Sequence, residues 1–115
     1  MKGIQVGDIT SFKTKKNLFQ SDTLVTKEKD WRQSGNISPV LNQGTCGSCW
    51  AFSTISTLEA AFSIRNKANS TKSLSIQYLV DCDTYNMGCM GGLQFRSYKY
   101  IRENGFYYAN DYYYP

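Results

Sequence analysis

The sequence predicts a mainly α fold in a chain of 115 residues. From Ser48 to Asn66, apolar residues recur at spacings of three and four, which is the period of one helix face. Two shorter helical patterns follow, over residues 75–81 and 93–104. At this length the chain can form one small domain that buries about two thirds of its unfolded surface.

The first helix is predicted to bury one stripe about five turns long. The stripe is formed by Ala51, Phe52, Ile55, Leu58, Ala61, Phe62 and Arg65. Glu59 lies beside it, and a partly buried carboxylate needs a hydrogen bond or an ion pair. We therefore interpret Glu59 as structural, and we expect the polar residues 66–73 to end the helix.

The second helix is expected to begin at Ser75 and the third at Leu93. A Ser-x-x-Glu capping box would place a glutamate where Tyr78 stands, so the reciprocal cap is lost, at a cost of about 0.5–1 kcal/mol. The third helix places Phe95, Tyr98 and Ile101 on one face. Gly105 is predicted to end that helix in a left-handed conformation.

The N-terminal residues 1–29 differ in composition from residues 30–115, because they are polar and rich in Lys, Thr and Ser. The chain has a net charge of +4. No base-stacking aromatics alternate with the basic residues, and no nucleic-acid-binding motif occurs. A solvated basic arm is the favoured interpretation, and we expect no nucleic-acid partner. No segment resembles a signal peptide or could span a bilayer, so no membrane association is expected.

Most of the tyrosines lie near the end of the sequence, between Tyr98 and Tyr114. So many aromatic side chains need to be covered. The cover could come from a partner or from further chain, or the segment could be a loop that packs on its own domain. The sequence leaves both interpretations open.

Cys49 lies where a glycine-rich loop leads into the first helix. Unsatisfied N–H groups and the helix dipole favour the negative charge of a thiolate there. Gln43, six residues earlier, can donate a hydrogen bond to an oxyanion that develops beside the sulfur. The pattern predicts a nucleophile, and a buried structural cysteine is the alternative.

The four cysteines have the spacings Cys46-x2-Cys49 and Cys82-x6-Cys89. A zinc site is disfavoured because the second spacing is too wide. A redox pair formed by Cys46 and Cys49 is disfavoured because residues 36–44 are turn-rich and do not predict a preceding strand. One reactive thiol with structural disulfides is the third interpretation. We expect neither a metal nor a cofactor.

The run Asn42-Gln43-Gly44-Thr45-Cys46-Gly47-Ser48-Cys49-Trp50 resembles the active-site cysteine segment of the papain and cathepsin family of cysteine proteases. Four further blocks carry the resemblance across residues 30–115: Asp30–Gly35, Pro39–Val40, Leu79–Cys82 and Gly88–Gly92. The resemblance implies the α+β papain-like fold. This chain would supply its helical (left) lobe, and the β-rich second lobe is absent from the chain.

The resemblance also implies roles for single residues. Cys49 and Gln43 would be catalytic. Substrate would be bound by Gly47, Ser48, Gly91, Gly92 and Leu93. Cys46 would pair with Cys89, and closing that loop would contribute about 4 kcal/mol. Cys82 would pair with a cysteine beyond Pro115. Residues 1–29, which include Gly7-Asp8-Ile9-Thr10, would be the end of a propeptide, and a flexible tail is the alternative.

The sequence contains no histidine. In the family, the catalytic histidine and asparagine come from the second lobe. We therefore expect a fragment of a cysteine endopeptidase that is inactive alone and whose partners are a peptide substrate and the missing lobe of the same protein. The alternative is a truncated, non-catalytic paralogue that binds peptides or a protease partner.

Disulfides imply a lysosomal, vacuolar or secreted protein. The glycosylation sequons at Asn36 and Asn69 are compatible with that route, although Pro39 disfavours the first.

Overall fold

The structure is a computed structural model that describes residues 27–112. A 3-10 helix, Trp31–Ser34, is followed by α1 (Cys49–Arg65), α2 (Ile76–Cys82) and α3 (Gln94–Asn104). Between residues 27 and 112 there is no regular β-sheet, only two isolated β-bridges, Gly47–Met90 and Leu74–Tyr108. The mainly α prediction is confirmed, and each helix begins and ends within one residue of its predicted bounds. The predicted propeptide motif at residues 7–10 lies outside the described residues.

α1 is the central element, and both α2 and α3 contact it. The core between them is made of buried apolar side chains from all three helices and from the segments that flank α2 and follow α3. These side chains are Trp50, Ala51, Ile55, Leu58, Leu74, Ile76, Tyr78, Leu79, Ile101 and Phe106. Because α1 is packed on both sides, it fixes the positions of the residues at its two ends.

The buried face of α1 differs from the predicted stripe. Thr54, Glu59 and Ser63 are buried, whereas Phe52 and Phe62 are only half-buried. A helix can bury polar side chains when each has a hydrogen-bond partner. Thr54 Oγ1 donates to the Trp50 carbonyl at 2.6 Å, and Ser63 Oγ donates to the Ser70 carbonyl at 3.0 Å.

Glu59 has the structural role that the sequence predicts. Its Oε1 accepts a hydrogen bond from the Leu74 N–H at 2.7 Å, and its Oε2 accepts one from Ser38 Oγ at 2.5 Å. The carboxylate therefore joins α1 to the segments before and after it.

α2 keeps half of a capping box, because Ser75 Oγ accepts a hydrogen bond from the Tyr78 N–H at 3.1 Å. The residues before α2 pair with the segment after α3. The Ser75 N–H donates to the Tyr107 carbonyl at 2.8 Å, and the Ala109 N–H donates to the Ser73 carbonyl at 2.9 Å. This pairing brings the end of the described chain back onto the core.

Two expectations for α3 are wrong. Its buried residues are Ser97 and Ile101, whereas Phe95 and Tyr98 are exposed. Gly105 has a positive φ of 78°, but its ψ of −166° lies outside the left-handed helical region. The extended ψ directs the chain at once into the buried Phe106 and the paired segment that follows.

The tyrosines of the C-terminal segment pack on their own domain as far as the structure describes them. The ring of Tyr78 is buried, and its centroid lies 4.8 Å from that of Tyr107 and 5.8 Å from that of Tyr112. Burial raises the pKa of Tyr78 above its ordinary value. Tyr113 and Tyr114 lie outside the described residues.

Candidate active site

The loop before α1 is held by hydrogen bonds between its own residues. The Gly44 N–H donates to Asn42 Oδ1 at 2.7 Å, and the Ser48 N–H donates to the Cys46 carbonyl at 2.8 Å. The Ser48 carbonyl then accepts the N–H groups of Ala51 and Phe52, which begins α1. The loop therefore delivers the chain to Cys49 in a defined direction.

Cys49 is the first residue of α1, and its thiol is free and exposed. The interpretation of Cys49 as a buried structural cysteine is therefore wrong. The first N–H groups of a helix have no partner within it, so the Cys49 amide stands at the same helix end as the sulfur. An exposed thiol and a backbone donor are thus combined in one residue.

A disulfide joins Cys46, three residues before Cys49, to Cys89. This is the pairing that the family resemblance implies. It leaves Cys49 and Cys82 as the free cysteines of the described chain. Since Cys46 is bonded to Cys89, there is no Cys46–Cys49 redox bridge. For the same reason, neither Cys46 nor Cys89 offers a thiolate to a metal.

Gly47 brings the two disulfide-bonded loops into backbone contact. Its N–H donates to the Cys89 carbonyl at 2.9 Å, within a parallel bridge between Gly47 and Met90. A Cβ at position 47 would lie 2.4 Å from that carbonyl oxygen, so a residue with a side chain does not fit. The loop before α1, residues 42–48, and residues 89–93 therefore lie side by side.

The second loop, residues 83–93, is also tied to α1. Trp50 is buried, and its Nε1 donates to the Gly88 carbonyl at 2.9 Å. A Cβ at Gly92 would lie 2.8 Å from the Trp50 ring and 2.6 Å from Asn86 Oδ1. Trp50 thus packs against the second loop and holds it on α1.

Asn86 is a positioning residue that sequence reasoning missed. Its Oδ1 accepts a hydrogen bond from the Leu93 N–H at 2.8 Å, and its Nδ2 donates to Asp83 Oδ2 at 2.7 Å and to Ser97 Oγ at 3.0 Å. It holds residues 91–93 against the start of α3. An asparagine in a turn-rich segment carries no local signal of this role, since two of its partners, Leu93 and Ser97, lie seven and eleven residues away.

The predicted site residues fall into two groups. Gly91 and Gly92 are half-buried and Leu93 is exposed, and all three follow Met90, which the bridge to Gly47 holds beside residues 42–48; we call residues 91–93 the rim. Among the described residues, no hydrogen bond engages the N–H or carbonyl of Gly92. Ser48 differs, because its side chain is fully buried and cannot touch a peptide. We correct its role to that of the residue that starts α1.

Gln43 is half-buried, and its side chain is directed into the loop. Its Nε2 donates to the Cys46 carbonyl at 2.8 Å. This bond fixes the side-chain amide within the loop that leads to Cys49. The structure thus places an amide donor and a thiol in one continuous loop.

The described residues contain no group of three His, Cys, Asp or Glu side chains that could hold a metal ion. None of their helices is long and apolar enough to cross a membrane. Asp81 is bonded to Gln77 and Tyr112, and Asp83 is bonded to Tyr85 and Asn86. Both carboxylates are thus engaged on the α2 side of the molecule.

An exposed cysteine at the start of a central helix, with a disulfide linking its loop to a second glycine-rich loop, is the arrangement of a papain-type helical lobe. The chain belongs to the papain family of cysteine proteases, whose family model matches residues 25–115.

Relatives and solved structures agree with this assignment. Chymopapain from Carica papaya is 51% identical over 76 residues, which cover 66% of this chain and 21% of chymopapain. Procathepsin L from Rattus norvegicus is 47% identical over 95 residues, covering 79% of this chain and 28% of the relative. The structure of digestive procathepsin L2 proteinase from Tenebrio molitor larval midgut aligns with a TM-score of 0.76 and 39% identity, over 82% of this chain and 30% of that one. The chain thus spans less than a third of the length of each.

Proposed function

We propose that this chain is the nucleophile-bearing lobe of a cysteine-type endopeptidase. The observation that carries the proposal is the position of Cys49, whose exposed thiol stands at the first residue of α1. The neighbouring loop, residues 89–93, is held beside it by the Cys46–Cys89 disulfide and the Gly47–Cys89 hydrogen bond. Nucleophile and peptide-binding rim are thus fixed relative to each other before substrate arrives.

In the proposed reaction, the Cys49 thiolate attacks the carbonyl carbon of a peptide bond. The oxyanion that forms accepts hydrogen bonds from the Cys49 N–H and from Gln43 Nε2, which has two hydrogens and donates one of them to the Cys46 carbonyl. The C–N bond then breaks, an imidazolium protonates the leaving amine, and water hydrolyses the thioester to release the acid and restore the thiol.

The rim gives the substrate an extended conformation in this proposal. The N–H and carbonyl of Gly92 are not used by the described residues, so they can pair with a peptide backbone as a sheet edge pairs with a strand. Gly91 leaves room for the peptide, since nothing lies within 4 Å of where its side chain would be. Leu93, 44% exposed, would form an apolar wall for one substrate side chain.

The base comes from outside this chain. The 115 residues contain no histidine, and Asp81 and Asp83 are engaged elsewhere. We infer that a longer natural product supplies a histidine and an asparagine on a second lobe, and that the 115-residue chain alone is catalytically inactive. Residues 30–115 would form the helical lobe, residues 1–29 would be the end of a propeptide, and the disulfide supports a lysosomal, vacuolar or secreted destination.

The test begins with the transcript beyond the codon for Pro115. The longer product is expressed, and its kcat/KM is measured on fluorogenic peptides with Cys49→Ala and with Ser56→Ala, an exposed α1 residue, as the matched control. Cys49→Ala should lower kcat/KM by at least about 10³-fold, whereas Ser56→Ala should leave it unchanged. An unchanged rate in Cys49→Ala would disprove the assignment of the nucleophile.

The alternative function is that of a truncated paralogue that binds peptides or a protease without cleaving them. The absence of histidine alongside an intact nucleophile loop favours it. A stop codon directly after Pro115 and a natural mass near 13.1 kDa would support this function and overturn the endopeptidase proposal.

A further inference from the structure

The two glycosylation sequons lie close together in the fold but in opposite environments. Asn36 is buried, at 5% exposure, and Asn69 is exposed. Asn36 Nδ2 donates one hydrogen bond to the Ala68 carbonyl, the residue just before Asn69, at 2.9 Å. The contact between Asn36 and the loop after α1 thus buries the asparagine of the first sequon, whereas the asparagine of the second stays exposed.

Both hydrogens of the Asn36 amide nitrogen are donated within the fold. Its Nδ2 has two hydrogens, and the second is donated to Ser63 Oγ at 2.8 Å. Ser63 Oγ in turn donates to the Ser70 carbonyl at 3.0 Å. A glycan on Nδ2 would replace one hydrogen and place a bulky polar group inside the contact. The chain could not then close residues 68–70 onto α1.

Asn69 meets none of these obstacles. Its side chain takes part in no hydrogen bond among the described residues, and the side chains of residues 66–70 are all exposed. The backbone around it is held by Ser63 and by the 2.8 Å contact between Ser38 Oγ and Thr71 Oγ1. A glycan on Asn69 Nδ2 would therefore project into solvent without breaking a bond of the folded state.

The position also leaves the candidate active site open. Asn69 follows the C-terminal end of α1, whereas Cys49 is its first residue. A helix of 17 residues is roughly 25 Å long, so a glycan at Asn69 stands a helix length away from the thiol.

We propose that Asn69 is an N-glycan acceptor and that Asn36, although it also begins an Asn-x-Ser/Thr sequon, is not. The donor is a lipid-linked oligosaccharide pyrophosphate. Asn69 Nδ2 bonds to the anomeric carbon of the sugar, the bond from that carbon to the pyrophosphate breaks, one amide hydrogen leaves as a proton, and the lipid pyrophosphate departs. Glycosylation of Asn69 requires entry into the secretory route but no peptidase activity, so this proposal can be tested independently of the proposed function.

The experiment places a cleavable signal peptide before the full chain in a eukaryotic secretory host. The total endoplasmic-reticulum-derived pool is purified, and peptide:N-glycosidase treatment converts each modified asparagine to aspartate, which peptide mass mapping then locates. The fraction that contains the Cys46–Cys89 disulfide is analysed separately as the folded fraction. Four chains are compared: the natural sequence, Asn69→Gln, Thr71→Ala and Asn36→Gln.

We expect the disulfide-bonded natural chain to carry one glycan, at Asn69. Asn69→Gln and Thr71→Ala should lose it completely, since each destroys the sequon by a different change. Asn36→Gln should keep it, even if that variant folds less well, because transfer to Asn69 does not need the Asn36 contact. An unmodified Asn69 in the natural chain, or a glycan at Asn36 in the disulfide-bonded fraction, would overturn the proposal.

Discussion

The two ends of α1 are held in place by different kinds of interaction. At the Cys49 end, a disulfide and a backbone hydrogen bond between Gly47 and Cys89 fix the loops. At the Arg65 end, side chains do so, with Asn36, Ser63 and Glu59 buried and hydrogen-bonded. At the Cys49 end, these contacts leave the Cys49 side chain exposed. At the Arg65 end, the polar side chains are themselves buried and engaged in hydrogen bonds.

The comparison shows how a small domain can hold a loop in place and still leave a reactive side chain exposed. A thiol that is itself needed for packing or hydrogen bonding cannot react with a substrate. Covalent and backbone contacts hold a loop without using the side chain that it carries. We therefore expect changes at the Cys49 end to alter both stability and thiol reactivity, whereas changes at the Arg65 end should alter stability alone.

The largest effect is expected from removing the disulfide. Cys46→Ser with Cys89→Ser should lower the free energy of unfolding by about 4 kcal/mol, because the unfolded chain regains the freedom of the closed loop. That is a large part of the 5–15 kcal/mol that typically stabilises a domain, so urea unfolding should begin at much lower denaturant. Cys82→Ser is the control for loss of a cysteine, and an equal effect of that change would contradict the explanation.

Gly47→Ala should have the next largest effect. The added methyl group would lie 2.4 Å from the Cys89 carbonyl oxygen, and backbone cannot move aside as the end of a side chain can. We expect a loss of about 3 kcal/mol, the upper end for overpacking, together with a changed rate of Cys49 alkylation by iodoacetamide.

Gly44→Ala is the matched comparison for Gly47→Ala. Nothing lies within 4 Å of its would-be side chain, so the cost is that of an alanine at a φ of 67°, about 1 kcal/mol. Equal losses for the two glycines would show that the contact with Cys89 does not hold the loop.

Asn36→Ala tests the other end of α1. It removes two buried hydrogen bonds and should cost about 2 kcal/mol in urea unfolding. Asn69→Ala, in the exposed loop beside it, should change stability by less than about 0.5 kcal/mol. The rate at which iodoacetamide labels Cys49 in the folded chain should stay the same in both variants. A slower rate in Asn36→Ala would mean that the two ends are coupled.

The smallest effect near neutral pH concerns Tyr78, a buried residue of α2 that lies at neither end of α1. Burial raises its pKa in the folded chain, so the folded state holds the proton more tightly than the unfolded state does. The contribution of Tyr78 to the free energy of unfolding is fully present below about pH 10, the ordinary pKa of tyrosine, and is lost as pH rises above that value.

Urea unfolding between pH 9 and 11, in the natural chain and in Tyr78→Phe, measures this contribution. The variant should lose less stability with rising pH, although not all of the dependence. Hydrogen bonds to Asp81 and Glu103 also raise the pKa of Tyr112 and Tyr85, respectively. Identical pH profiles would show that Tyr78 does not titrate differently in the two states.

The features that could be predicted from the sequence are those that depend on residues close together in the chain. The helix bounds were predicted to within one residue, because apolar spacing and capping residues act within a few positions of the chain. The structural role of Glu59 was predicted as well, since a carboxylate beside an apolar stripe must find a partner. The partners themselves, Ser38 and Leu74, were not predicted, because neither lies within the helix that carries Glu59.

The errors share one physical cause. Phe95 and Tyr98 were expected to form one face with Ile101, but α3 buries the small Ser97 beside Ile101 instead. Ser48 was predicted to touch substrate and is fully buried. Gly105 has the positive φ that its position predicts, and the pairing of the next segment with residues 73–75 sets its ψ. For α3 and Gly105, contacts with segments outside the helix set the outcome, and these contacts leave no local signal in the sequence.

The fold class, the order and length of the helices, and the position of Cys49 at the start of α1 all follow from local sequence patterns. Packing between distant segments determines which of the two sequons is buried, which glycines tolerate no side chain, and that Asn86 holds residues 91–93. The reason is that helix formation depends on residues within one or two turns. Burial and close approach, in contrast, arise only when segments far apart in the chain, such as residues 36 and 68 or 47 and 89, come into contact.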